Sequence, residues 1–157
     1  MIEFSIPGQN YTLNISDLIL DYNGTLAIDG KLLPGVKNLL ILLSNKLNVH
    51  IITADTFGTI QNQIKEIPCR LYILPPNNQA EEKLKYLQKT GCHNSICIGN
   101  GKNDNLMLKE AVIGIAVIQK EGASFKSVSN SDVICTNIVD ALELIINPLR
   151  LSATLRS

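Results

Sequence analysis

The sequence lacks tryptophan, an excess of charge of either sign, and most aromatic residues. Aromatic residues account for only 4% of its 157 residues, and 14 basic side chains balance 14 acidic ones. Nucleic-acid-binding domains carry a basic excess or a basic stripe, so the zero net charge argues against a nucleic-acid partner. Hydrophobic residues make up 45% of the chain, and that content with low net charge excludes an intrinsically disordered protein.

Targeting signals, membrane spans and cysteine-based sites are also missing. Residues 1–8 have neither the basic start nor the apolar run of a signal peptide. The longest apolar runs, residues 39–43 and 113–118, are too short to cross a bilayer. The four cysteines show no C-x-x-C spacing, so neither a zinc site nor a redox dithiol is indicated. We therefore expect a cytoplasmic protein with no membrane partner.

Short β-rich segments alternate with helical patterns along the chain. Strands are predicted at residues 18–21, 49–52, 71–74, 95–98, 113–117 and 132–135. Helices are predicted over residues 56–64 and 79–89, and one that follows the loop 99–105 ends at residue 110. Three further helices are predicted to begin at residue 34, at residue 121 and after an N-cap at residue 137. This alternation predicts an α/β fold with a mostly parallel sheet and helices on both faces. The length fits one domain, residues 1–157, with residues 1–16 as an N-terminal β-hairpin extension.

Chemically reactive side chains follow several of the predicted strands. Asp21 and Thr53 each end a strand, the loop 99–104 follows another, and Lys83 lies early in a helix that follows a fourth. Because ligands of parallel sheets bind beyond the carboxyl ends of the strands, we expect these groups to meet. An aspartate can attack phosphorus, lysine and threonine can stabilise phosphoryl oxygens, and Asp104 can help to hold Mg²⁺. The pattern therefore predicts a phosphate and metal site.

The same segments resemble the motifs of the haloacid dehalogenase superfamily of phosphohydrolases. The first motif, D-x-D-G-T, reads D-Y-N-G-T at residues 21–25, and the second, a Ser or Thr after a strand, matches Thr53. The third, a lone Lys, best matches Lys83, with Lys85 as the poorer match. The fourth, G-D-G-x-N-D, reads G-N-G-K-N-D at residues 99–104 and looks like the soluble P-type-ATPase-like branch. The resemblance covers the chain from residue 18 onward and implies a Rossmannoid three-layer sandwich.

The resemblance also implies a role for each matched residue. Asp21 would attack phosphorus to form an aspartyl-phosphate, Thr53 and Lys83 would bind the phosphoryl oxygens, and Mg²⁺ would be the cofactor. The implied catalytic residues are Asp21, Asn23, Thr53 and Lys83; the implied substrate-binding residues are Gly24, Thr53, Ala54, Lys83 and Asn103; and the implied metal ligands are Asp21, Asn23, Asn100 and Asp104.

Two positions depart from the family pattern. Asn23 stands where the family's phosphatases have the aspartate that acts as general acid and base, and an amide cannot exchange protons near neutral pH. Losing such a group typically costs about 10²–10⁴ in rate. Asn100 replaces the usual metal-binding aspartate, so we expect weaker Mg²⁺ binding. These departures predict slow turnover and a preference for leaving groups that need no protonation, such as acyl or aryl phosphates.

The short spacings between the motifs leave no room for a cap domain. Residues 25–53 have room for a hairpin at 26–33, a helix and a strand, and residues 53–83 only for a helix and a strand. A capless member of the family either meets a large substrate or uses neighbouring subunits as its cap. We therefore expect a homo-oligomer, with residues 1–16 and 26–33 as candidate assembly elements.

These observations together predict a Mg²⁺-dependent phosphatase that acts on a phosphorylated small molecule or a phosphorylated macromolecule. Two alternatives stay open. The chain could be a non-enzymatic phosphate- or metal-binding module in which the two asparagines mark lost catalysis. It could also be a regulatory domain that is phosphorylated on Asp21 and read by a partner. Membrane transport is excluded, because no segment is long enough to span a bilayer.

Overall fold

Ten strands and seven α-helices make up the part of the chain that the structure describes. The computed structural model describes residues 1–54 and 59–156. The strands are β1 (Ile2–Ser5), β2 (Thr12–Ile15), β3 (Asp17–Asp21), β4 (Ala27–Ile28), β5 (Lys31–Leu32), β6 (Asn48–Thr53), β7 (Arg70–Ile73), β8 (Ser95–Gly99), β9 (Ile113–Val117) and β10 (Val133–Cys135). The helices are α1 (Val36–Ser44), α2 (Thr59–Ile64), α3 (Gln79–Thr90), α4 (Asn105–Glu110), α5 (Phe125–Ser129), α6 (Ile138–Ile146) and α7 (Pro148–Leu155).

A six-stranded sheet lies at the centre of the molecule. Its strand order is β10-β9-β8-β3-β6-β7, and every neighbouring pair runs parallel. All residues of β3, β8 and β9 are buried, as expected for parallel strands that are covered on both faces. The predicted α/β fold is confirmed, and its central sheet is wholly parallel.

Helices cover both faces of this sheet and give the fold three layers. Successive side chains of a strand point to opposite faces, so Leu18 and Leu20 join one hydrophobic cluster while Ile19 joins the other. The larger cluster includes buried residues of α1, α6 and α7. The smaller cluster includes Leu87 of α3 and Met107 of α4. The three-layer arrangement implied by the family resemblance is therefore confirmed.

The first two strands form the predicted N-terminal hairpin. β1 pairs antiparallel with β2, and Ile2, Phe4 and Leu13 are buried in the larger hydrophobic cluster. Helix α7 lies against β1, where Ser152 Oγ donates a hydrogen bond to the Ser5 carbonyl at 2.5 Å. The chain itself therefore covers the apolar face of the hairpin. A part for this hairpin in a homo-oligomer stays a prediction.

Two regions differ from the sequence-based expectation. The helix predicted from Glu121 is a turn, because Gly122 has a φ of +71° and its N–H donates to the Gln119 carbonyl at 2.8 Å. The helix in this region, α5, begins only at Phe125. Near the end of the chain, α6 is followed by a further helix, α7, which begins at Pro148. Proline has no N–H to continue α6, but it suits the first position of a new helix.

Only small elements connect the motifs in the described residues. Between Thr25 and Thr53 lie the β4–β5 hairpin, α1 and β6, and between Thr53 and Lys83 lie α2, β7 and the start of α3. Residues 56–58 of the helix predicted at 56–64 lie outside the described residues. The parts of the chain that are described thus contain no cap domain. Within residues 1–54 and 59–156, no helix combines the length and apolar character that crossing a bilayer requires.

The strand order creates a topological switch point beside β3. The chain runs outward from β3 to β6 and β7, and then returns to β8 on the other side of β3. In open α/β sheets, ligands bind at the carboxyl ends of the strands where the strand order reverses. Asp21 ends β3 and Gly99 ends β8, so the loops that follow these two residues meet at that point.

Candidate active site

The loop after β3 begins at Asp21 and packs directly on the loop after β8. The Leu26 N–H donates to the Tyr22 carbonyl at 2.8 Å, which folds the chain back beside the strand end. Gly24 has a φ of +80°, and a Cβ at this position would lie 2.4 Å from Asn100 Nδ2. Glycine is therefore required for the close approach of the first and fourth motifs.

Lys83 joins the carboxylates of Asp21 and Asp104. It lies on the buried face of α3, and its side chain is fully buried. Its Nζ lies 2.6 Å from Asp21 Oδ1 and 2.5 Å from Asp104 Oδ1. Lys85 is on the exposed side of the same helix, where it pairs with Glu82 at 2.7 Å. The lysine that reaches Asp21 is therefore Lys83.

Asp104 holds Lys83 and also shapes the loop after β8. Its Oδ2 accepts hydrogen bonds from the backbone N–H groups of Asn100 (3.0 Å) and Gly101 (2.8 Å). A Cβ at Gly99 would lie 2.4 Å from Asp104 Cγ, so the carboxylate packs tightly against the strand end. Both oxygens of Asp104 are engaged and the residue is fully buried. These contacts give Asp104 a positioning role, and the metal-binding role that the family resemblance implies stays a prediction.

The buried site contains two carboxylates and one ammonium group. Burial raises the pKa of Asp21 to about 6, and the charge of Asp104 adds to this effect while Lys83 opposes it. Burial alone would lower the pKa of Lys83, but the carboxylates of Asp21 and Asp104 outweigh it, and the pKa of Lys83 is raised. At neutral pH, Asp21 is therefore mostly an anion and Lys83 remains a cation. These are the charge states that a carboxylate nucleophile and its counter-ion require.

The hydroxyl of Thr25 links the second carboxylate oxygen of Asp21 to the amide oxygen of Asn100. Thr25 Oγ1 is 3.0 Å from Asp21 Oδ2 and 3.2 Å from Asn100 Oδ1. The Asn100 amide is fixed because its Nδ2 donates to the Gly122 carbonyl at 3.0 Å. Carboxylate and carbonyl oxygens are ligands of Mg²⁺, which is commonly held by only one or two carboxylates. These oxygens therefore fit a divalent cation, although no three His, Cys, Asp or Glu side chains cluster within the described residues.

A cavity of about 200 Å³ adjoins Asp21. It is lined by Asp21, Asn23, Thr53, Ala54, Asn100, Gly101, Asn103 and Glu121. Of the remaining predicted site residues, Lys83 contacts Asp21 outside this lining, Asp104 is joined to Asp21 through Lys83, and Gly24 packs on Asn100. The structure thus brings all of the predicted site residues together at one edge of the sheet.

A second, larger cleft of about 630 Å³ shares Asn103 with this cavity. Its lining includes the start of α3 and two lysines, Lys102 and Lys126. Asn103 Nδ2 donates to Gln79 Oε1 at 2.8 Å, which joins the fourth motif to α3. The cavity at Asp21 therefore adjoins, at Asn103, a larger polar cleft that has room for more than a phosphoryl group.

Two residues of this region were assigned no role from the sequence, although one of them, Thr25, is the last residue of the first motif. Thr25 is fully buried and contacts both Asp21 and Asn100, whereas Glu121 lines the cavity. The sequence did carry a signal for Glu121, because it follows shortly after the end of β9 at Val117. The carboxyl ends of parallel strands share one edge of the sheet, so a carboxylate there is a site candidate.

Sequence comparisons find two uncharacterized relatives. No family model matches the chain. The chain is 47% identical over 78 residues to uncharacterized protein MJ0073 of Methanocaldococcus jannaschii. The aligned segment covers 47% of this chain and 84% of the relative. It is also 46% identical over 39 residues to uncharacterized protein MJ0072 of the same organism, and this segment covers 25% of this chain and 89% of the relative. The chain therefore belongs to one protein family with MJ0073.

Solved structures with the same architecture are found among phosphatases. The deoxy-D-mannose-octulosonate 8-phosphate phosphatase of Haemophilus influenzae, in its cobalt-bound form, matches with a TM-score of 0.71 at 11% identity, over 92% of this chain and 94% of that chain. A Legionella pneumophila protein described as a haloacid dehalogenase superfamily hydrolase of subfamily III A matches with a TM-score of 0.69 at 18% identity, over 90% of this chain and 87% of that chain. The chain has the haloacid dehalogenase fold.

Another protein of the haloacid dehalogenase fold was solved with ligands. It is the 3-deoxy-D-manno-octulosonate 8-phosphate phosphatase of Moraxella catarrhalis, in complex with a magnesium ion, a phosphate ion and a KDO molecule. It matches with a TM-score of 0.67 at 19% identity, over 85% of this chain and 86% of that chain. At such identities the likeness shows the fold and does not separate branches within it. The P-type-ATPase-like branch therefore stays a prediction.

Proposed function

We propose that the chain is a Mg²⁺-dependent phosphohydrolase that works through an aspartyl-phosphate on Asp21. The observation that carries this proposal is the buried Asp21–Lys83–Asp104 arrangement, which adjoins a cavity at the switch point of the sheet. The haloacid dehalogenase fold supports it, since a phosphatase of this fold binds a magnesium ion and a phosphate ion.

The chain's own residues suit both steps of such a reaction. In the first step, a carboxylate oxygen of Asp21 attacks phosphorus while the bond to the leaving oxygen breaks, and the leaving group takes the electron pair. In the second step, water attacks phosphorus, the bond between phosphorus and Asp21 breaks, and phosphate leaves. Thr53 in the cavity wall and the nearby charge of Lys83 would stabilise the negative charge on the phosphoryl oxygens.

Three oxygens of the site would hold the metal ion. These are Asp21 Oδ2, the carbonyl of Asn23 and Asn100 Oδ1. A bound Mg²⁺ supplies positive charge to the phosphoryl oxygens. With a single carboxylate among its ligands, the site should bind Mg²⁺ weakly in the absence of substrate, whereas Asp104 acts through Lys83 and the loop after β8.

The substrate we propose is a phosphorylated small molecule with a good leaving group, such as an acyl or aryl phosphate. Asn23 cannot donate a proton to a departing oxygen, so a leaving group that needs no proton avoids this deficit. The cleft that shares Asn103 with the cavity has room for the rest of the molecule. A phosphorylated macromolecule, a homo-oligomeric assembly and a cytoplasmic location remain predictions of the sequence.

The test measures phosphate release from acetyl phosphate, with and without Mg²⁺, for three proteins: the wild type, Asp21→Asn and Glu110→Gln. Glu110 is an exposed carboxylate at the end of α4, and its change to an amide is the matched control. We expect Mg²⁺-dependent release by the wild type and the control but not by Asp21→Asn. Equal release by Asp21→Asn, or none by the wild type, would contradict the proposal.

The two asparagines also favour a second function, that of a regulatory phospho-acceptor. If no group activates water, a phosphoryl group transferred to Asp21 persists instead of being released. Acetyl phosphate treatment followed by borohydride reduction and mass spectrometry would detect phospho-Asp21. A stoichiometric, long-lived phospho-Asp21 without continued phosphate release supports the acceptor, whereas repeated turnover supports the enzyme.

A further inference from the structure

The turn at residues 119–122 is tied to both loops of the site. Gln119 Nε2 donates to the carbonyls of Gly24 at 3.0 Å and Thr25 at 2.8 Å. The Gln119 carbonyl accepts the Gly122 N–H that closes the turn. At the other end of the turn, the Gly122 carbonyl accepts a hydrogen bond from Asn100 Nδ2. The turn is thus fastened at one end to the loop after β3 and at the other to the loop after β8.

Glu121 occupies a central position of this turn and lines the cavity together with Asp21 and Asn23. Among the residues that line this cavity, Asp21 and Glu121 alone carry ionisable side chains. Glu121 makes no hydrogen bond or ion pair with the described residues and is exposed to solvent. The turn therefore places at the cavity a glutamate that is unpaired within residues 1–54 and 59–156, where Asn23 lacks a carboxylate.

We propose that Glu121 is the general acid and base of this site, in place of the aspartate that is absent at position 23. The inference rests on the proposed function, adds the group that completes its proton transfers, and so extends the proposed substrates from acyl and aryl phosphates to alkyl phosphates. As the bond between phosphorus and the leaving oxygen breaks, the protonated Glu121 gives its proton to that oxygen. As water then attacks phosphorus, its proton passes to the Glu121 carboxylate, and the electron pair of the broken bond returns to Asp21. The acid form of Glu121 is thereby restored.

The contacts of Asn100 explain why this role can move to Glu121. Asn100 Nδ2 donates to the Gly122 carbonyl, and an ionised aspartate at position 100 would have no donor for this bond. The amide at position 100 therefore holds the turn that carries Glu121. The two departures from the family pattern become one arrangement, in which Asn100 fixes the carboxylate that replaces the one missing at Asn23.

The experiment compares Glu121→Gln with Lys120→Gln, the control at the neighbouring position of the same turn. Rates are measured with acetyl phosphate and with an alkyl phosphate, whose departing oxygen needs a proton. For Glu121→Gln we expect kcat to fall by about 10²–10⁴ with the alkyl phosphate. With acetyl phosphate we expect a retained burst followed by slow release, and accumulation of phospho-Asp21. Lys120→Gln should keep the wild-type kcat on both substrates.

A rescue variant separates this role from a structural one. Adding Asn23→Asp to Glu121→Gln should restore turnover, because it returns an acid and base to the position that the family uses. Turnover of Glu121→Gln equal to that of the wild type would overturn the role of Glu121 and leave the proposed phosphohydrolase standing. A higher Mg²⁺ requirement with unchanged kcat would overturn it in favour of metal binding. If the wild type itself shows no Asp21-dependent turnover, the proposed function and this inference both fall.

Discussion

Strand β3 carries a buried aspartate at each end, and the two carboxylates have opposite electrostatic properties. Asp17 begins the strand and Asp21 ends it, and both are almost fully buried. Burial alone would raise the pKa of Asp17, but hydrogen bonds from Ser16, His50 and Asn48 outweigh it, and the pKa is lowered. For Asp21, burial prevails and the pKa is raised to about 6.

The hydrogen-bond partners account for this difference. Asp17 Oδ1 accepts from Asn48 Nδ2 and His50 Nε2, both at 3.0 Å. Its Oδ2 accepts from Ser16 Oγ at 2.5 Å and Asn94 Nδ2 at 3.1 Å. These four donors fill the acceptor sites of Asp17, so little capacity is left for a ligand. Asp21, at the other end, shares Lys83 with the carboxylate of Asp104 and lines a cavity. Burial alone therefore does not distinguish the proposed nucleophile, Asp21, from Asp17; the two differ in how fully hydrogen bonds and charge compensate the burial.

The largest effect on stability is expected when the site at the carboxyl end of β3, formed by Asp21, Lys83 and Asp104, loses its cation. Lys83→Met would leave Asp21 and Asp104 buried together without a counter-charge. We expect the free energy of unfolding in urea to fall by about 3–5 kcal/mol, with loss of phosphate release. Lys85→Met, on the exposed side of α3, should change stability by less than about 0.5 kcal/mol. Equal effects of the two changes would mean that charge pairing at this end does not support the fold.

Removal of the Asp17 carboxylate, at the amino end of β3, should have the next largest effect on stability. Asp17→Asn loses hydrogen bonds to a charged acceptor, so we expect a loss of about 2–3 kcal/mol while phosphate release by the folded protein is kept. Because the pKa of Asp17 is lowered in the fold, its contribution is present above the unfolded pKa of about 3.9 and is lost as the pH falls further. Urea unfolding between pH 7 and pH 2.5 should therefore show a shallower acid decline for Asp17→Asn. An unchanged decline of stability with falling pH would show that ionised Asp17 does not stabilise the fold.

The carboxylate at the carboxyl end should give the opposite sign. A raised pKa means that ionised Asp21 is less favourable in the folded state than in the unfolded state. Asp21→Asn, measured at pH 8 without metal, should therefore raise the free energy of unfolding by about 1–3 kcal/mol, although we expect it to abolish activity. If Asp21→Asn destabilises the protein as Asp17→Asn does, both ends of β3 have structural carboxylates.

The smallest effect is expected at the edge of the Asp17 network. Tyr86 OH and His50 Nδ1 are 2.8 Å apart, so Tyr86 supports the ring that donates to Asp17. We expect Tyr86→Phe to cost about 0.5–1 kcal/mol in thermal unfolding. Tyr72→Phe is the matched control, since its ring packs against Tyr86 with a centroid distance of 4.7 Å. Equal effects of the two changes would show that the contact of the Tyr86 hydroxyl with His50 adds no stability.

The sequence predicts the carboxyl-end site well because its residues obey a simple geometric rule. Asp21, Thr53 and the loop 99–104 each follow a strand, and parallel strands place such residues along one edge of the sheet. The choice of Lys83 over Lys85 required the orientation of α3, which buries Lys83 on the same face as Leu87, one turn later. That spacing is visible in the sequence once the helix is assigned.

The hydrogen bonds around Asp17 and the turn at Glu121 could not be predicted from the sequence, for a physical reason. The donors to Asp17 come from distant segments, with Asn48 and Asn94 far apart along the chain, and no local pattern joins them. The helix predicted from Glu121 is wrong because the positive φ of Gly122 and the bonds of Gln119 to the loop after β3 are tertiary features. Local propensity carries no information about such contacts.

The contact between Asn100 and the Gly122 carbonyl has a consequence for how this sequence can diverge. Changing Asn100 to aspartate would strengthen the proposed metal site but remove one of the two attachments of the turn that carries Glu121, so the change should be harmful unless Asn23 becomes aspartate first. The reverse order should be tolerated, because Asn23→Asp adds a second proton donor without disturbing the turn. The steric fit of Gly24 against the Asn100 amide adds a third position to this dependence. We therefore expect positions 23, 24, 100 and 121 to change in a fixed order among homologues.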